Sequence, residues 1–282
     1  MDDAGTRLWL PPLALAGCVR GVMLRDTRGR GLDAVQRENY FPATPLVALF
    51  WWIAGSSEWL ATLGFSPPPA ERRHASLLFA GPFTLPTHTR NPGEMCAFKL
   101  LLLPDAFTAL TGVAVDRLVN QVVDANRRLP PDWLAWAEAV AGAADDAARL
   151  GLVEGFLQPR WQALGAQRPG HRYADWTEAL AVRAATSAAG RSLRQLERRI
   201  KAWAGLPLRE LRAVSRAERA FHAVAAADGR PGFNWADIAA ETDYADQSHL
   251  CRETRRLTGF SPEELRRRMQ AEEAFWAYRL WR

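Results

Sequence analysis

The chain changes its hydrophobic rhythm near residue 103. Before that point apolar residues alternate or run in short blocks; after it they recur at three- and four-residue spacing. Cys18–Arg25 alternates weakly. Pro45–Ile53 is apolar throughout, which predicts a strand buried on both faces and ended by Gly55-Ser56-Ser57. Ser76–Ala80 and Cys96–Leu103 predict further strands, set off by Gly81-Pro82 and Asn91-Pro92-Gly93, while Ser66-Pro67-Pro68-Pro69 predicts a loop. Short strands with Pro and Gly turns predict a small barrel or a sandwich.

Helical spacing takes over from Pro104. Asp105–Leu110, Val115–Arg127, Pro131–Ala141 and Ala143–Leu164 are expected as helices, with Leu118, Val119, Val122 and Val123 facing inward on the second. Gly165–Gly170 is the expected linker. Beyond it, Thr177–Ala185 precedes a helix whose Ser192 and Gln195 form a capping box, with Leu193, Leu196, Ile200 and Trp203 as its core stripe. Arg209–Ala226 predicts a long helix and Trp235–Thr242 a short one. After the turn Asp243-Tyr244-Ala245, Asp246 caps a helix that buries Leu250, Thr254 and Leu257. Gly259 and Pro262 stop it. A shift of 54 residues sets Ser192 on Asp246, Leu196 on Leu250, Arg198 on Arg252, Lys201 on Arg255 and Gly205 on Gly259. The chain thus repeats a helix pair of the kind whose second helix enters a DNA major groove.

The second copy resembles the second helix-turn-helix of AraC-type bacterial transcriptional regulators. The shared residues are Ile238-Ala239, Asp246-Gln247-Ser248-His249-Leu250, Arg252, Arg255-Arg256, Thr258-Gly259, Ser261-Pro262 and Arg266. Thr254 stands where that family usually has an aromatic residue, Leu265 where Tyr is common, and Asp243 in place of a turn glycine. The first copy resembles the family's first helix-turn-helix more loosely, through Ser192, Arg194, Leu196, Arg198, Lys201 and Gly205. Strands followed by helices, placed ahead of this module, resemble the family's effector and dimerisation domain. The resemblance implies an α+β chain: an N-terminal cupin-like β-barrel or sandwich with appended helices, then an all-α double helix-turn-helix domain. The expected division is 1–165 for effector binding and dimerisation and 176–282 for DNA binding. Because the caps and stripes of the second part read as complete, residues 171–282 are expected to fold alone.

Charge and composition sharpen this picture only in part. Residues 191–282 hold 18 Lys+Arg against 13 Asp+Glu, whereas the whole chain holds 36 and 31. The first 190 residues are therefore neutral, and the surplus lies where phosphate would be met. Cys18, Cys96 and Cys251 have no metal or disulfide spacing, which fits a reduced cytoplasmic setting. Leu15-Ala16-Gly17-Cys18 looks like a lipoprotein cleavage box. The acidic segment before it and Pro11-Pro12 within the apolar run make that a chance match. No stretch reads as a membrane span.

Arg194, Arg198, Gln247, Ser248 and Arg252 are the candidates for base edges, since Arg pairs bidentately with guanine and Gln with adenine. Lys201, Arg255, Arg256 and the run Arg266–Arg268 are candidates for phosphate, with a solvated basic face as the alternative for the run. Glu197 is expected to pair with Lys201 one helical turn on. Asp145-Asp146 and Glu272-Glu273 read as surface charges. Phe50, Trp51, Trp52 and Trp59 could line an apolar effector pocket, and simple core packing competes for each of them. The five histidines have no metal-ligand spacing, and no catalytic residue, metal or cofactor is expected. The function expected is transcriptional regulation through double-stranded DNA, with a small-molecule effector, a homodimer and, for an activator, RNA polymerase as further partners. An interaction protein with a degenerate helix-turn-helix, and an enzyme with its site in the barrel, remain open at this point.

Overall fold

The computed structural model describes residues 5–60, 77–165, 173–187, 192–227 and 233–280. Its strands are β1 (Thr6–Trp9), β2 (Val19–Asp26), β3 (Glu38–Phe41), β4 (Val47–Ala54), β5 (Glu58–Trp59), β6 (Leu77–Ala80), β7 (Thr87–Arg90), β8 (Cys96–Leu102) and β9 (Val122–Asp124). They make two antiparallel sheets, one ordered β1-β2-β8-β4-β6-β9 and one ordered β3-β7-β5. Of the two shapes expected, this is an open sandwich and not a closed barrel. The apolar run of β4 is explained by its place between β8 and β6, with a covered layer on each side. Alternation along the strands then sorts the side chains. Met23, Lys99 and Phe50 stand side by side on the face toward the small sheet. Trp51, Phe98 and Leu100 stand on the other face, covered by helices. The expected loop Ser66–Pro69 and most of the expected linker lie outside the described residues.

The helices are α1 (Pro104–Thr111), α2 (Pro131–Gly142), α3 (Asp146–Ala163), α4 (Tyr173–Thr186), α5 (Leu193–Ala204), α6 (Leu208–Ala227), α7 (Trp235–Glu241), α8 (Gln247–Thr258), α9 (Pro262–Ala271) and α10 (Trp276–Arg279). One expectation fails: Val115–Arg127 is not a helix. A single 3₁₀ turn at Val115–Arg117 is followed by Asn120 in the left-handed conformation, with φ 57. Left-handed backbone ends a right-handed helix, and the β-branched pair Val122-Val123 then joins β6 as β9. Leu118, Val122 and Val123 are buried as expected, but against the sheet.

The repeat is real. Helices α5 and α8 are both 12 residues long, capped by Ser192 and Asp246 and closed by Gly205 (φ 76) and Gly259 (φ 87). Glycine is needed at these two stops because a Cβ is disfavoured at such φ. The helices that follow, α6 and α9, start at Leu208 and Pro262, again 54 apart. The core stripe of α5 is shorter than expected. Leu193, in the free first turn, is 83% exposed, while Ile200 and Ala204 are fully buried and Leu196 and Trp203 half-buried.

The two halves share one core. Ile200, Leu206, Leu208 and Trp276 belong to the same buried apolar cluster as Leu100 and Phe107. Asp105 of α1 is buried and accepts from Trp176 Nε1 and from Arg183, both at 2.9 Å, which ties α1 to α4. The Ala43 N–H donates to the Leu257 carbonyl at the end of α8, at 2.7 Å. Glu273 is not a free surface charge, because it binds the buried Arg25 of β2 and Arg279. Residues 171–282 alone would therefore strip cover from several large apolar side chains, each worth about 1.5–3 kcal/mol when buried. That fragment should lose near-UV circular dichroism or melt well below the full chain. Equal melting temperatures would restore the expectation of independent folding.

Candidate functional site

Helix α8 follows α7 through a turn at Asp243, whose φ of 61 lies in the left-handed region. Asp tolerates that conformation better than most residues. Tyr244 is buried beneath the turn, and its N–H donates to the Ala239 carbonyl at 3.0 Å. Asp246 accepts from the His249 N–H at 2.6 Å, which fixes the first turn. Leu250, Thr254 and Leu257 are buried as expected. Arg216 of α6 binds Glu253 through two nitrogens and lies 5.6 Å from the Tyr244 ring centroid, so α6 braces α8 from behind. Thr254 leaves a small void of about 40 Å³ beside Ala220, Leu250 and Leu265.

The outward face of α8 carries Gln247, Ser248, Arg252, Arg255 and Arg256, all exposed. Arg194, Arg198 and Lys201 are exposed on α5. Among the described residues no hydrogen bond or ion pair engages Arg194, Arg198, Lys201, Arg252, Arg255 or Arg267. Other basic candidates are already engaged. Arg256 pairs with Glu210 of α6 at 2.7 Å, Arg266 with Glu263 at 2.7 Å, and Arg268 with Glu264 at 3.0 Å. Glu197 does not pair with Lys201; its carboxylate accepts from the Leu208 N–H at 3.4 Å, at the start of α6. A carboxylate there satisfies a helix N-terminus, an option that spacing within one helix does not reveal.

The second feature is a cavity of about 210 Å³ between the sheets. Met23, Phe50, Trp52 and Lys99 line it from the large sheet, and Asn39 and Phe41 from the small one. Val214, Ala217 and Glu218 of α6, Leu257 of α8, and Trp276 and Tyr278 close its end. Phe50, Trp52 and Trp59 thus lie on the cavity. Trp51 faces the other way, 1% exposed, with its Nε1 donating to the Ala137 carbonyl at 2.9 Å, so it has the packing role weighed against it. Lys99 had no signal in the sequence, where it reads as one polar residue in a strand. Its Nζ lies 4.4 Å from the Phe41 ring centroid, 5.1 Å from that of Phe50 and 5.3 Å from that of Trp276. Burial, helped by the nearby Arg25 guanidinium, pushes the Lys99 ammonium down to about 7. Among the described residues no group of His, Cys, Asp or Glu is placed to hold a metal, and no helix is long and apolar enough to cross a membrane.

Residues 185–268, the stretch from the end of α4 to α9, match the family model of a helix-turn-helix domain. No curated protein matches the chain. Among solved structures the chain is similar to an apo variant of ToxT from Vibrio cholerae, with 9% identity, 86% of this chain and 95% of that one covered, and a TM-score of 0.40. It is also similar to ToxT from Vibrio cholerae bound to an unsaturated fatty acid, with 11% identity, coverage of 80% and 93%, and a TM-score of 0.36. A third is the AraC-like transcriptional activator CuxR, with 13% identity, 98% of both chains covered and a TM-score of 0.28. Likenesses this loose carry no ligand or partner across.

Two measurements follow from the geometry. Asp243 pairs with Arg219 at 2.7 Å, but both side chains are well exposed and such pairs are worth little. Asp243→Gly should therefore leave stability within about 0.5 kcal/mol, while Asp243→Val should cost about 1–2 kcal/mol through its left-handed backbone. Equal thermal melts for the two variants would contradict this turn. For Lys99, the folded value near 7 lies below the ordinary 10.5, so the unfolded chain holds the proton more tightly. The penalty is fully present below pH 7 and fades as pH rises toward 10. Lys99→Met should melt higher than the parent by several degrees at pH 6, with the gap narrowing at pH 9 and closing only above the ordinary lysine value of 10.5. A gap that does not change between pH 6 and pH 9 would show that Lys99 stays charged in its buried site, with its affinity for the proton not lowered.

Proposed function

We infer, from the AraC-type helix-turn-helix domain that residues 185–268 form, that this DNA-binding transcription regulator reads a specific sequence through α5 and α8. The observation that carries the reading is the Asp246-capped helix, whose exposed Arg252 and Arg255 side chains have no partner among the described residues. In this reading Gln247, Ser248 and Arg252 of α8 and Arg194 and Arg198 of α5 meet base edges, and their exposure supports it. Arg255 and Lys201 are left for phosphate. Arg256 contributes as part of the brace to Glu210 unless DNA displaces that pair. Between the two readers lies α6, 20 residues and about 30 Å long. A rod of that length suits two helices one DNA turn apart, about 34 Å. In this reading residues 1–165 bind an effector and mediate dimerisation, 176–282 bind DNA, and the protein works in the cytoplasm.

Control by a small molecule is supported by the cavity, because α6 and the end of α8 are among its walls. An occupant that presses on Val214, Ala217 or Leu257 acts on the helices that set the spacing of the two readers.

Footprinting of a bound operator should give two protected patches about 10 base pairs apart per monomer. Arg252→Ala should cost about 1–3 kcal/mol and relax sequence preference in one patch, and Arg198→Ala should do the same in the other. Arg255→Ala should weaken all sequences alike and lower the salt slope by about one. If Arg198→Ala leaves affinity and footprint unchanged while Arg252→Ala abolishes both, the second module alone reads bases.

A further inference from the structure

The start of α5 carries a side chain that neither the core nor any polar contact explains. Leu193 is 83% exposed, more than any other large apolar residue among those described. It is the first residue of α5, held in helical geometry by the capping box of Ser192 and Gln195. The 54-residue repeat sets it on Gln247, the first residue of α8, which is exposed as well. Arg194 and Arg198 follow it at i+1 and i+5, both exposed and without a partner among the described residues. Glu197, one turn on, turns its carboxylate to the Leu208 N–H at the start of α6. A helix start favours an acid in its first turn, because the free N–H groups there carry partial positive charge. Of α1 to α9, only α5 and α8 lack one. The two helices thus share a first turn that an anionic duplex can approach. At the matching position one bears an amide and the other an isobutyl group.

We propose that Leu193 is a specificity-determining residue of the first reader, making apolar contact with the 5-methyl group of a thymine in the major groove. The proposal rests on the reading that α5 enters DNA. Residues in the first turn of a recognition helix are the ones that reach base edges. Thymine presents a methyl group in the major groove, whereas guanine, adenine and cytosine present hydrogen-bonding atoms. An isobutyl group set against those atoms would strip their water and return no bond. Gln247, in the matching place on α8, suits adenine instead. The two readers therefore prefer different bases at equivalent positions, which gives the protein one orientation on its operator.

The test uses the full chain and an operator that it selects from random duplex DNA. Thymines in the α5 patch, the one whose protection Arg198→Ala weakens, are replaced one at a time by deoxyuridine, which lacks only the methyl group. At one position the replacement should weaken binding about fourfold, the worth of one buried methyl group. Leu193→Ala should bind the thymine operator more weakly and no longer distinguish thymine from deoxyuridine there. A side chain this exposed can be removed without unfolding the chain, and circular dichroism checks that it has been. The proposal is overturned if no thymine in that patch responds, if folded Leu193→Ala still responds, or if the footprint has no α5 patch. Two protected patches that are indifferent to the methyl groups sink the proposal alone. Failure to select any operator sinks the DNA reading, and the proposal with it.

Discussion

The seating of Trp276 in the open end of the sandwich is the contact on which the rest depends. Its indole is 1% exposed, donates to Asn39 Oδ1, and meets the Phe41 ring edge-on at 5.6 Å. Arg25 and Lys99 both lie within cation–π range of the same ring. A sandwich of a six-stranded and a three-stranded sheet has an end that its own loops do not cover. Here Trp276, at the start of α10, supplies the cover. The sandwich and the C-terminal helices thereby share one apolar cluster.

That constraint brings the cavity close to the helices α6 and α8. The strand register places Lys99 between Met23 and Phe50, on the face that looks into the cavity. The same cavity ends on α6, and α6 separates the two helices that carry the exposed cations. Behind α8, the Arg216–Glu253 pair and the Ala43–Leu257 hydrogen bond hold that helix to α6 and to the sandwich. In the proposed reading, a change in what fills the cavity presses on Val214, Ala217 and Leu257 of the helices that carry the exposed cations.

The two capped helices α5 and α8 were legible in the sequence because their signals are local. A capping Asp246 or Ser192, a closing Gly259 or Gly205 and a polar outward face are all written within one helix. The double repeat added a check that needed no tertiary information. What could not be read was set by partners far along the chain. Val122-Val123 became a strand because β6 offers an edge, Glu197 turned to α6, and Glu273 met Arg25 from 248 residues away. Trp51 and Trp52 are neighbours in sequence, yet one is core and the other lines the cavity; alternation separates them, but only the assembled layers say which face is which. Lys99 is the clearest case, since a lysine in a strand normally faces water.

The central claim is that the sandwich and the helices α5 to α10 form one cooperative unit closed by Trp276. Native-state hydrogen exchange of the full chain tests it most directly, by comparing amides in the middle of α6 with those of β8. The account predicts that both sets exchange through the same global opening, with equal free energies and equal denaturant dependence. Amides of α6 that exchange through a cheaper opening, while β8 keeps its full protection, would contradict it.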